Sequence, residues 1–143
     1  MKKFVVIVAG GSGTRMGTEI HKQFLELNGK PVLMHTISVF YEWDNNCDII
    51  LVLPESQKTF SEELCLKHSF VVPLRLVSGG ETRFHSVKNG LKQITEEGIV
   101  FIHDGVRPLV GAETLDRCLH SAETYGNAIP VLPVNESLRR KGK

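Results

Sequence analysis

Four short apolar runs recur along the chain, at residues 4–9, 48–53, 74–77 and 99–103. Each is rich in Val, Ile or Leu and closes on Gly, Pro, Asp or Ser. That pattern predicts strands buried on both faces of a parallel sheet. Between them the apolar period lengthens to that of a helix. Leu33, Ile37, Phe40 and Tyr41 share one face, and Pro31 suits the first helical position. Phe84, Val87, Leu91 and Ile94 share another. Leu115, Cys118, Leu119 and Ala122 follow i, i+3, i+4, i+7 spacing between Gly111 and Gly126. A weaker helical pattern runs from about 55 to 68. Residues 127–134 read as a fifth strand, interrupted or at an edge because Pro130 and Pro133 fall inside it. Alternating strands and helices predict a three-layer, Rossmann-like α/β fold with a mostly parallel sheet and right-handed crossovers. In such sheets ligands sit beyond the carboxyl ends of the strands. Polar clusters follow Ala9, Val77 and His103, at three of those ends.

Length and composition narrow the class. The 143 residues predict one domain spanning 1–143. A net charge of +1 argues against a general polyanion binder, so no nucleic-acid partner is expected. The run at 4–9 is too short for a membrane helix or a signal-peptide core, and Lys2 and Lys3 read as its flank. Cys47, Cys65 and Cys118 are widely spaced, odd in number and without metal-binding spacing. They predict free thiols in a reducing cytoplasm.

The first cluster, "AGGSGTRMGTEIHKQF", carries an anion-binding chemistry. It is neither of two familiar phosphate loops. No Gly-Lys-Ser/Thr follows, which excludes the P-loop. In a GxGxxG register beginning at Gly11, the third position falls on Met16. What remains is a flexible loop in which Gly10, Gly11 and Gly13 let backbone amides approach an anion. Arg15 adds a planar fork and Lys22 a mobile point charge, a set suited to a triphosphate. The second cluster, "SGGETRFHSV", puts a Gly pair at a strand end and Ser86 one helical turn after Arg83. On chemistry alone this is an ordinary β–α turn. In the third, "IHDGVRP", a strand delivers Asp104 at its end and Arg107 three residues later. The carboxylate suits Mg²⁺, which uses one or two carboxylates plus substrate phosphates, and Arg107 suits a phosphate clamp. The competing reading is an Asp104–Arg107 ion pair that pins the loop, with His103 in the core.

"AGGSGTRMG" followed by "HKQF" resembles the signature loop of nucleotidyltransferases that activate sugar and polyol phosphates. The KQF element narrows this to cytidylyltransferases acting on polyol phosphates. GG-x-x-R-x-x-SV and HD-x-x-RP are similar to segments of the 2-C-methyl-D-erythritol 4-phosphate cytidylyltransferase family. The resemblance implies that Ala9, Gly10, Gly11 and Gly13 bind the nucleotide, with Gly80, Glu81 and Ser86 around the cytosine. Family members often have aspartate where this chain has Glu81. Arg15 and Lys22 would be catalytic, Asp104 would hold Mg²⁺ or another divalent cation, and Arg107 would contact the acceptor phosphate. "PVNESLRR" is a weaker match that places Glu136, Ser137 and Arg139 near the acceptor, with Ser137 keeping the hydroxyl. The implied reaction joins CTP to 2-C-methyl-D-erythritol 4-phosphate and releases pyrophosphate.

The resemblance runs from about Val5 to Arg140. Family members continue further, so the domain is expected to be incomplete at its C-terminal end and the full-length form to be a homodimer. Three alternatives stay open. D-ribitol 5-phosphate is a rival acceptor with the same chemistry. A non-catalytic nucleotide-binding fragment is a rival of another class. A dinucleotide-dependent oxidoreductase is more distant.

Overall fold

The computed structural model describes residues 1–10 and 21–137. Four parallel strands form the central sheet: β1 (Lys2–Val8), β4 (Asp48–Leu53), β5 (Arg75–Ser78) and β6 (Gly98–Asp104). Their spatial order is β5-β4-β1-β6. A two-stranded antiparallel hairpin, β2 (Glu26–Leu27) and β3 (Lys30–Pro31), stands apart from it. The helices are α1 (Val32–Trp43), α2 (Lys58–Lys67), α3 (Arg83–Leu91) and α4 (Ala112–Tyr125), with 3₁₀ turns at Lys22–Phe24 and Glu55–Gln57.

The alternation of a strand explains the layers. Val5 and Ile7 of β1, with Ala9 just after it, face one core with Leu33, Ile37 and Phe40 of α1 and Leu115 of α4. Val6 and Val8 face the opposite core, with Ile50, Val52 and the partly buried Val87 of α3. At about 25 cal/mol per Å² of apolar surface buried, these two layers are the main stabilising term. β1 from Phe4 and β4 from Ile49 are apolar and buried because both of their faces are covered.

The strand order creates a switch point. The chain goes from β1 to β4 on one side, and later returns to place β6 on the other side of β1. The carboxyl ends of β1 and β6 therefore diverge into connections that leave a crevice between them. They approach closely there: a Cβ on Gly105 would lie 2.8 Å from the Ala9 Cβ. Thr36 Oγ1 of α1 donates to the Gly105 carbonyl at 2.8 Å and fixes this turn from below.

Two expectations change. Residues 127–134 form no strand; Pro130 and Pro133 lack the N–H groups a ladder needs. Pro31 lies one residue before the first helical residue, as the end of β3. The hairpin was not foreseen. Its two-residue turn, Asn28-Gly29, has φ of 52° and 78°, the mirror-image geometry that Asn-Gly favours.

Candidate active site

The described residues of the three polar clusters meet at the switch point. A cavity of about 330 Å³ is bounded by Ala9 and Gly10 after β1, Gly80, Glu81 and Ser86 around the start of α3, and Asp104 and Arg107 after β6, with Lys22 beside them. This volume is at the small end of the roughly 300–1,000 Å³ of ligand pockets. A larger cavity of about 830 Å³ lies between α1, α2 and the segment leading into β5, lined by groups such as Phe24, Leu33, Ile37, Phe70 and Leu76. Its walls are mainly apolar, and the charged groups converge on the smaller cavity.

Each wall has a local cause. Thr82 caps α3, its hydroxyl accepting from the His85 amide at 3.3 Å. That fixes Ser86 one turn later, 4% exposed, where its Oγ accepts from the Gly80 amide at 3.1 Å. A Cβ on Gly80 would stand 2.4 Å from the His85 Cβ, so a glycine is needed for this close approach. A Cβ on Gly10 would meet Ser86 Oγ at 3.8 Å, so the first and second clusters face one another.

Asp104 is held by two guanidinium groups. Its Oδ1 accepts from Arg83 Nε at 3.1 Å and Nη2 at 2.9 Å, and its Oδ2 pairs with Arg107 Nε at 3.0 Å. The ion pair weighed from the sequence is present, and a second arginine joins it. Strand alternation sends His103 to the other side, with its ring 5.0 Å from that of Phe40. Burial lowers the His103 pKa, so the ring is neutral near pH 7 and serves the core.

The structure brings together Ala9, Gly10, Lys22, Gly80, Glu81, Ser86, Asp104 and Arg107. It does not bring in Ser137, which is exposed and outside the cavity wall, as is Glu136. Gly11, Gly13, Arg15 and Arg139 lie outside the described residues.

The sequence model of 2-C-methyl-D-erythritol 4-phosphate cytidylyltransferase matches residues 3–143. The chain belongs to the 2-C-methyl-D-erythritol 4-phosphate cytidylyltransferase family. The protein of that name from Bacteroides thetaiotaomicron is 52% identical over 139 residues, 97% of this chain and 64% of the relative. The one from Phocaeicola vulgatus is 50% identical over 143 residues, 100% of this chain and 65% of the relative. A crystal structure of 4-diphosphocytidyl-2C-methyl-D-erythritol synthase superposes with a TM-score of 0.76 at 25% identity, covering 99% of this chain and 64% of that one. The chain thus spans just under two thirds of the curated relatives it matches.

Membership in this cytidylyltransferase family raises the question of a divalent metal. Among the described residues no three His, Cys, Asp or Glu side chains cluster as a metal site. A single carboxylate still fits Mg²⁺ that takes its other ligands from phosphates and water. A carboxylate oxygen has two lone pairs. Oδ1 of Asp104 already accepts two bonds from Arg83, whereas among the described residues Oδ2 accepts from Arg107 alone. Oδ2 is the coordination position that remains.

Two residues of the site were missed or assigned otherwise from the sequence. Arg83 was given no role of its own within the second cluster, yet it is directed to Asp104, 21 residues away. Gln23 carried no role and proves to be fully buried in the wall beside Lys22. The KQF string was its only signal.

Proposed function

We propose that the cavity binds CTP and that the protein transfers a cytidylyl group to 2-C-methyl-D-erythritol 4-phosphate, releasing pyrophosphate. The observation that carries this reading is the convergence of Lys22, Arg83, Asp104 and Arg107 with Gly10, Gly80 and Ser86 at the β1–β6 switch point. Relatives about half identical to the chain carry the name of that reaction. Residues 1–143 would form the nucleotide-binding domain. The full-length form would be a cytoplasmic homodimer in which Ser137 reaches the acceptor.

The chemistry is an in-line displacement. An acceptor-phosphate oxygen forms a bond to the α-phosphorus as the bond to the bridging oxygen breaks, and pyrophosphate leaves with that electron pair. The attacking oxygen is already anionic, so no base is needed. Catalysis then rests on positioning and charge. Gly10 and Gly80 offer close backbone approach to the nucleotide, and Ser86 fixes the Gly80 amide. Lys22 places positive charge where the α-phosphate and leaving group gain negative charge, the role that the sequence also gives Arg15, which lies outside the described residues. Arg107, an exposed side chain paired with Asp104, would turn to the acceptor phosphate when that substrate binds. Mg²⁺ held at Asp104 would supply Lewis-acid polarisation of phosphate oxygens.

The test is pyrophosphate release with CTP, UTP or ATP against 2-C-methyl-D-erythritol 4-phosphate or D-ribitol 5-phosphate, with Mg²⁺. Release is expected from CTP with the methylerythritol phosphate and only background from the other pairs. Equal release from UTP contradicts the nucleotide assignment, and faster release with ribitol phosphate contradicts the acceptor. CTP binding with no release from any pair identifies a binding module instead.

A further inference from the structure

Gln23 joins three separate pieces of chain at the wall of the cavity. Its side chain is fully buried. Its Nε2 donates to the Ala9 carbonyl at 3.0 Å and to Gln57 Oε1 at 2.7 Å. Ala9 follows the last residue of β1, and Gln57, itself 7% exposed, precedes α2. The donor lies on the single 3₁₀ turn that also carries Lys22 and Phe24. Phe24 anchors the other side of that turn, buried and edge-on to Phe60 of α2 at 5.1 Å between ring centres. Two of the three residues in the turn are thus tied down, one by polar contacts and one by apolar contacts. The third, Lys22, is exposed and borders the cavity.

We propose that Gln23 is a positioning residue, a buried amide brace that sets where the Lys22 ammonium stands relative to the end of β1. This inference rests on the proposed role of Lys22 at the nucleotide phosphates. A Lys side chain has many rotamers, and its contribution to binding depends on how well its backbone is fixed beforehand. A purely apolar residue at 23 would fill the same space. It would leave the Ala9 carbonyl and the Gln57 amide oxygen without their buried donor, and the glutamine is present although its own Oε1 is buried with no partner among the described residues. The brace also links the cavity wall to the residue that precedes α2, beside the Phe24–Phe60 contact to α2 itself.

The experiment is a double-mutant cycle read as CTP affinity by calorimetry, using the full 143-residue chain with Mg²⁺. The variants are Gln23→Met, Lys22→Ala and both together, each first checked by thermal unfolding. Lys22→Ala and Gln23→Met are each expected to weaken CTP binding by about tenfold or more, the loss of one charge-assisted contact. If Gln23 acts through Lys22, adding Gln23→Met to Lys22→Ala gives little further loss. Losses that multiply in the double variant show that Gln23 acts on the fold or on other contacts, and overturn the inference. So does parent-like affinity in Gln23→Met. If Lys22→Ala alone binds like the parent, or the parent does not bind CTP, the functional reading itself fails. Should Gln23→Met not fold, Gln57→Met replaces it, since it removes one partner and leaves the Ala9 bond in place; parent-like affinity there overturns the brace.

Discussion

At the scale of single residues, the decisive group is Asp104, a carboxylate shared between Arg83 and Arg107. Two guanidiniums and one carboxylate leave net positive charge for phosphates to meet, with Lys22 across the cavity. Lys22→Ala is expected to lower turnover by about 10²–10³-fold, as for loss of one preorganised charge contact. The melting temperature should barely move, because Lys22 is exposed and away from the core. Asp104→Asn should shift the Mg²⁺ titration of activity to higher concentration; an unchanged titration contradicts the metal assignment. A third expectation concerns stability. Burial raises the Cys47 thiol to about 11 from its ordinary 9.0. Above pH 9 the unfolded thiol loses its proton while the folded one keeps it, so stability falls from about pH 9 to 11. Cys47→Ala, though less stable overall, should lose that part of the slope in denaturant melts at successive pH values. The glycines, cations and Asp104 were legible as residue types at strand ends. The Arg83–Asp104 and Gln23–Gln57 bonds were not, since they join residues 21 and 34 positions apart and only the fold brings them together.

At the scale of elements, α3 couples the core to the site. It lies on β1 and β4 through Gly90, where a Cβ would stand 2.6 Å from Val6 Cγ1 and 3.1 Å from Val52 Cγ2. Gly90→Ala should push the helix outward against its gain in helix propensity. Overpacking of this kind costs about 1–3 kcal/mol, and the loss should appear both as a lower melting temperature and as weaker CTP binding, because Ser86 moves with the helix. A variant that melts lower but binds CTP as the parent does would uncouple the two. The four long strands and four helices could be read from their periods, and α4 ends at Gly126 as its pattern implies. The β2–β3 hairpin could not, because two-residue strands are too short to show a period; only Asn28-Gly29 marked it. The pattern at 127–134 misled because alternating apolar residues imply a strand only where a partner edge and free N–H groups exist. Pro130 and Pro133 remove two of the latter.

At the scale of the whole molecule, the sheet has two edge strands, β5 and β6, and an exposed apolar segment follows the helix beside β6. β6 is an edge of the sheet, and Ile102 on it is 46% exposed. Beside it Ile129, Val131, Leu132 and Val134 are each more than two thirds exposed. An open strand edge next to an apolar strip favours self-association. The chain should show concentration-dependent scattering that Leu132→Lys reduces; identical scattering in the variant would place the contact elsewhere. The central claim concerns the opposite feature, the cavity where β1 and β6 part. Its most direct test is a CTP titration followed by backbone amide chemical shifts in the presence of Mg²⁺. Shifts are predicted to cluster at Gly10, Lys22, Gly80, Glu81, Ser86 and 104–107. No saturable shifts, or shifts centred on the apolar cavity around Phe70 and Leu76, would contradict the account.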